Sequence, residues 1–147
     1  MSMIVNRRDF LRTSALALAS LGGIAAENPK PSANAQITLG CIGLGIHGMG
    51  WNLDAFLKIP EARVLAVCDV FKSRQEEARG KVNAAYANSD CAMCTDFREI
   101  LRRDDIDAVV IATPDHWHVL MSVMAARAGK DVFCEKPTLN VSQGHML

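Results

Sequence analysis

The chain has 147 residues, 50% of them hydrophobic, which suffices for one ordinary core and predicts a single domain. Its 16 Lys+Arg balance 16 Asp+Glu, so it lacks the electrostatic footprint of a nucleic-acid binder, whose affinity comes largely from neutralised phosphates. No apolar run approaches the roughly 18 residues that span a bilayer, so no membrane association is expected once the N-terminal segment is removed.

Residues 1–35 read as an address rather than as part of the fold. Asn6-Arg7-Arg8-Asp9-Phe10-Leu11-Arg12 resembles a bacterial twin-arginine signal. An alanine-rich, weakly apolar stretch from Ala15 to Ala26 follows, then a polar spacer and Ala33-Asn34-Ala35, which suits cleavage after Ala35. The expectation is a partner in the twin-arginine export machinery and a periplasmic or otherwise exported protein.

The remainder, 36–138, alternates between strand-like and helix-like patterns. Ile37, Leu39, Cys41 and Ile42 form an apolar strand that empties into Gly43-Leu44-Gly45-Ile46-His47-Gly48. A strand, a glycine-rich turn and a helix start in that order offer free backbone N–H groups and a partial positive charge to phosphate. Gly43 would make the tight turn, Gly45 would let backbone approach a pyrophosphate, and Gly48 would allow close packing of helix on sheet. Met49, Leu53, Phe56 and Leu57 then mark one helix face, with Pro60 as its stop. Arg63 to Asp69 is apolar almost throughout, as in a strand buried on both faces. Asp69 closes it about 20 residues beyond the last glycine, where a carboxylate can accept from both hydroxyls of an adenosine ribose.

Lys72 to Tyr86 is helix-compatible, Cys91 to Cys94 suits a short edge strand, and Asp96-Phe97-Arg98-Glu99 resembles a capping box that carries Phe97, Ile100 and Leu101 inward. Asp107 to Ala112 is another apolar strand, ending at Thr113-Pro114. Trp117, Met121, Met124, Ala125 and Ala128 share a helix face, with Asp115 as its expected cap and Gly129 as its end. Asp131-Val132-Phe133-Cys134 is the last strand and runs into Glu135-Lys136-Pro137. Of the five cysteines, Cys41, Cys68 and Cys134 read as small buried hydrophobes, and Cys91-x-x-Cys94 lacks the second ligand pair of a zinc site. His116 and His118 diverge on a helix, so no metal is expected there.

This alternation predicts an α/β fold, a Rossmann-type parallel sheet with helices on both faces. The glycine turn, Asp69, the loop from Thr113 to His118 and Glu135-Lys136 all follow strand C-termini, the edge at which open α/β sheets bind ligands. The four segments therefore point together to a nucleotide.

In this order and spacing, Gly43-x-Gly45-x-x-Gly48, Asp69, Thr113-Pro114-x-x-x-His118 and Glu135-Lys136-Pro137 resemble the N-terminal domain of the Gfo/Idh/MocA oxidoreductases. The resemblance covers Ile37 to Pro137. It implies that Gly43, Leu44, Gly45, Ile46, His47 and Gly48 hold the pyrophosphate, that Asp69 holds the adenosine ribose, and that Thr113, Pro114 and His118 line the ribose and nicotinamide side. Lys136 matches the family's lysine between nicotinamide and substrate, with Glu135 positioning it or the nicotinamide. NAD is favoured over NADP, because a carboxylate at Asp69 repels a 2′-phosphate. The implied substrate is a small, carbohydrate-like molecule, and the implied state of the full-length protein is a homo-oligomer. Family members continue into a substrate domain, so 139–147 reads as the start of a connection and the chain as a fragment, inactive alone. Three functions stay open: an oxidoreductase acting on a hydroxyl of a sugar or polyol, an NAD-retaining glycoside hydrolase, and a noncatalytic NAD-binding module.

Overall fold

The structure, a computed structural model, describes residues 36–138. The export signal and the connection after residue 138 lie outside the described residues.

Five strands form one wholly parallel sheet in the order β3-β2-β1-β4-β5. They are β1 Ile37–Ile42, β2 Ala62–Cys68, β3 Ala92–Cys94, β4 Ala108–Ile111 and β5 Asp131–Cys134. Between them run α1, made of a π-helical turn Gly48–Leu53 continuous with an α-helical turn Asp54–Phe56, then α2 Lys72–Tyr86, α3 Phe97–Leu101 and α4 Asp115–Arg127. The expected fold class, strands and helices are all present.

Two cores, one on each face of the sheet, explain why β1, β2 and β4 are apolar almost throughout, while the edge strand β5 is largely exposed. On one face Leu39, Cys41, Val64, Val67 and Val110 pack with Met49 and Leu53 of α1 and Ala78 and Val82 of α2. On the other, Ile42, Ala66, Cys68, Val109 and Ile111 pack with Phe97, Ile100 and Leu101 of α3 and Met121 and Ala125 of α4. The β1–β2 register shifts between Leu39 and Gly40, so that Leu39 pairs with Val64 but Gly40 with Ala66. Leu65 is the extra residue, and it turns to the second core.

Some local readings need correction. The first helix does not run to Pro60: its helical residues end at Phe56, and its π-helical turn is not foreshadowed by the apolar spacing. The cap of α4 is Pro114 and makes no side-chain hydrogen bond, so Asp115 is the first helical residue and not the cap. Trp117 does not join the buried face of that helix, which consists of His118, Val119, Met121, Ser122 and Ala125. By contrast Asp96 caps α3 as expected, its carboxylate accepting from Arg98 N at 2.9 Å.

Cys41 and Cys68 are buried in the strands as expected, whereas Cys134 is only half-buried at the end of β5. Burial pushes the Cys41 thiol up to about 12, and Cys68 is held high by a thiol–thiol hydrogen bond to Cys94, its neighbour across β2 and β3, and by burial. Among the described residues no group of three His, Cys, Asp or Glu side chains could hold a metal ion.

Candidate functional site

The strand order reverses at β1, since its chain successor β2 lies on one side and β4 on the other. The loops after β1 and β4 therefore leave toward opposite faces and open a crevice at the C-terminal edge. Gly43 carries this junction. Its φ of +86° suits glycine, and a Cβ there would meet Ala112 C at 2.6 Å and Thr113 N at 2.7 Å. The loop itself is hung from the sheet by Gly43 N donating to Cys68 O at 2.8 Å, and Ala112 N donates to Ile42 O at 2.8 Å.

The three glycines separate by role. At Gly48 a Cβ would collide with the Gly43 carbonyl oxygen, so the third glycine lets α1 lie against its own loop. At Gly45 nothing of the protein lies within 4 Å of a built Cβ, and the residue lines a cavity of about 580 Å³. Open space at the start of a helix is what a diphosphate held by backbone N–H groups requires.

Two cavities of about 560 and 580 Å³ meet at this point and share Gly43, Asp69, Arg74, Thr113 and Pro114. The first runs past Phe71, Thr95, Phe97, His116 and Trp117. It is mostly apolar and partly aromatic, with Phe97 and Trp117 edge to face at 6.4 Å, and so suits a flat heteroaromatic base. The second runs past Gly45, Ile46, His47 and His118 to Glu135, Lys136 and Pro137. One end thus offers an aromatic slot, the middle main-chain N–H groups, and the other end an ammonium and a carboxylate. The aromatic slot was missed in the sequence, although Phe71 and Trp117 each follow a strand end by a few residues and could have signalled it.

Asp69 lies at the shared middle and is 8% exposed. Its Oδ2 accepts from Leu44 N at 2.7 Å and its Oδ1 from Phe71 N at 2.9 Å. The carboxylate therefore ties the glycine loop to the end of β2, a role additional to the one expected. Each carboxylate oxygen has two lone-pair sites, so one on each remains for a ribose hydroxyl. Arg74 brings a guanidinium nitrogen to 3.8 Å from Oδ2 while lying 4.7 Å above the Phe71 ring.

His118 is 1% exposed and sits between two loops, with Nδ1 2.9 Å from the Pro137 carbonyl and Nε2 2.8 Å from the Thr113 carbonyl. It ties these loops together, with little surface left to present to a ligand. Leu44 is likewise buried at 1%, so only its N–H serves the loop, while Ile46 and His47 are exposed beside the second cavity. Thr113 Oγ1 is buried with no hydrogen-bond partner among the described residues. An orphaned hydroxyl at the meeting of the cavities is a group that a bound dinucleotide could satisfy. Glu135 N donates to Ile111 O at 2.9 Å, its Oε1 accepts from Asn52 Nδ2 at 3.2 Å, and Lys136 is exposed on the rim with a cis bond to Pro137.

A parallel sheet of this order, with a glycine-rich turn at its switch point and a carboxylate closing β2, defines a dinucleotide-binding domain of the Rossmann type. Residues 37–147 match the family described as the GFO_IDH_MocA oxidoreductase family, NAD-binding Rossmann fold. The chain belongs to that family and carries its NAD(P)-binding domain. Among curated relatives it is 35% identical to a glycosyl hydrolase family 109 protein of Saccharopolyspora erythraea, over 90% of this chain and 33% of that protein. The chain thus spans about a third of the length of that relative. Among solved structures it resembles a scyllo-inositol dehydrogenase of Lactobacillus casei with bound NAD(H) and scyllo-inositol (29% identity, TM-score 0.66, 76% of this chain and 32% of that one). It also resembles a 3-ketoreductase of Actinomadura kijaniata in complex with NADP and TDP-benzene (26% identity, TM-score 0.66, 75% and 32%).

Proposed function

We propose that this chain is the cofactor half of an NAD-dependent oxidoreductase that moves hydride between NAD and a hydroxyl of a sugar, polyol or related small molecule. The observation that carries the reading is the pair of joined cavities, which place an aromatic slot, a glycine loop and Lys136 in line along one sheet edge. NAD, when bound, supplies the hydride acceptor. Residues Phe71 and Trp117 flank its base, Asp69 accepts from the ribose, the N–H groups after Leu44 meet the diphosphate, and Thr113 Oγ1 gains a partner beside it. Lys136 Nζ stands at the far end, where an ammonium stabilises negative charge on a reacting hydroxyl oxygen or exchanges a proton with it. Hydride transfer requires the substrate carbon roughly 3–3.5 Å from the nicotinamide, so the other wall of the site must come from further polypeptide.

The Asp69 carboxylate repels a 2′-phosphate, which favours NAD, while Arg74 beside it softens that preference. Calorimetric titration of the chain with NAD and with NADP tests both statements: tighter binding of NAD is expected, and equal affinities overturn the preference. The relative of glycosyl hydrolase family 109 supports a second reading, a glycoside hydrolase that retains NAD. Assay of the complete reading frame with sugars and glycosides separates the two, since sustained NADH formation supports the first and glycoside cleavage without net NADH the second. We also propose export through the twin-arginine route, which R7K together with R8K should abolish; undiminished export of the double variant would sink that proposal.

A further inference from the structure

The π-helical turn of α1 has a consequence for the opposite end of the site. Its buried residues are Gly48, Met49, Asn52 and Leu53. Met49 and Leu53 feed the core and Gly48 lies against the loop, which leaves Asn52 as the buried polar member, 8% exposed. A primary amide buried in a core-facing turn is costly unless it is hydrogen-bonded. The partner is remote in sequence: Asn52 Nδ2 donates to Glu135 Oε1 at 3.2 Å across 83 residues. Widened turns of this kind collect at functional sites, because the displaced residue is aimed differently from its place in a regular helix.

We propose that Asn52 is a positioning residue for the Glu135-Lys136 segment, acting through the Glu135 carboxylate; this rests on the reading of the second cavity as the nicotinamide side of a dinucleotide site. Three contacts fix the segment. Glu135 N is held by Ile111 O of β4, the Pro137 carbonyl by His118 Nδ1, and the Glu135 side chain by Asn52. The first two hold main chain. Only the third fixes where a charge sits in the cavity, and by occupying Glu135 it keeps that carboxylate from closing on the adjacent ammonium. Lys136 accordingly forms no ion pair among the described residues. Removing the amide frees Glu135 to fold onto Lys136 or into the space the nicotinamide ring needs.

The test compares two ligands on the full 147-residue chain. ADP-ribose reaches the aromatic slot and the glycine loop but lacks nicotinamide. N52A should weaken NAD binding about tenfold or more, the loss of one hydrogen bond to a charged partner, with ADP-ribose affinity within about twofold of the unmutated chain. N52D, which sets a second carboxylate against Glu135, should weaken NAD further and again spare ADP-ribose. In the E135Q background N52A should cost less than it does alone, because the two residues act as a pair. Retained ADP-ribose binding also certifies that the variants are folded. Equal losses for both ligands, or unchanged NAD affinity in N52A and N52D, overturn the proposal. If the unmutated chain binds ADP-ribose but shows no added affinity for NAD, the nicotinamide reading fails and the proposal fails with it.

Discussion

Alanine at Gly48 places a methyl carbon against the Gly43 carbonyl oxygen and 2.9 Å from Gly43 C, with Ala112 Cβ at 3.2 Å. The first two are main-chain atoms, and Gly43 is itself packed against main chain, so closely that a Cβ on it would meet Ala112 C at 2.6 Å. The clash must be relieved by shifting α1 away from its loop. Overpacking of this kind costs about 1–3 kcal/mol, offset by up to about 1 kcal/mol that alanine gains over glycine in a helix. A net loss of about 1–2 kcal/mol lowers the midpoint of a domain of this size by roughly 5–10 °C. The same displacement pulls the helix N–H groups off the diphosphate. Gly45 provides the contrast, since a methyl there meets no protein atom within 4 Å. G45A should therefore melt within about 2–3 °C of the unmutated chain, in line with a change of no more than about 0.5 kcal/mol, yet bind NAD about tenfold more weakly or worse. Thermal unfolding followed by circular dichroism, together with NADH fluorescence titration, reads both quantities. If G48A melts and binds like the parent, or if G45A loses stability while keeping its affinity, the separation of the two glycines into packing and ligand roles is wrong.

Asp69→Ala strands the Leu44 N–H, which the carboxylate now accepts from inside the protein, so it should cost about 1–3 kcal/mol in urea unfolding as well as NAD affinity, whereas Asp69→Asn should lose less of both. Trp117→Ala should weaken NAD and ADP-ribose by the same factor, about three- to tenfold, because the aromatic slot serves the base common to both; a loss confined to NAD would place the base elsewhere. Hydrogen bonds from Thr38 N and Oγ1 hold the Asp107 carboxyl below its usual range. A depressed carboxyl adds stability above its unfolded pKa that disappears as pH falls through the folded value. The midpoint should therefore drop below about pH 4, and Asp107→Asn should reduce that acid sensitivity; an unchanged profile in the variant would refute the assignment.

Strands β1, β2 and β4 were legible because each is apolar almost without interruption, a pattern imposed by the two cores on either face of the sheet. The glycine loop was legible because backbone geometry at Gly43 and Gly48 admits little else. What the sequence did not disclose depends on contacts between distant segments. Asn52 looks like an ordinary polar helix residue until the fold brings Glu135 to it, and a π-helical turn leaves no periodic trace in so short a segment. Asp69 does follow the end of β2, but its hold on Leu44 N could be seen only once the loop had folded over it. Trp117 has helical spacing with Met121 and Ala125 and still faces the cavity, because it sits in the first turn of α4, at the edge the core does not cover. Periodicity alone cannot report where a helix emerges from its core.

The seam at Gly43 and Ala112, where two loops touch main chain to main chain, also bears on how such a domain can diverge. Substitution changes side chains, and this seam offers almost none, so the middle of the cofactor track is shielded from ordinary variation. On the proposed reading, the residues that discriminate lie to either side of it: Phe71, Arg74 and Trp117 toward the base, and Asn52, Glu135 and Lys136 toward the reacting end. That reading writes preference for one nucleotide and choice of chemistry in separate places, which can be revised one at a time while the join between them stays the same.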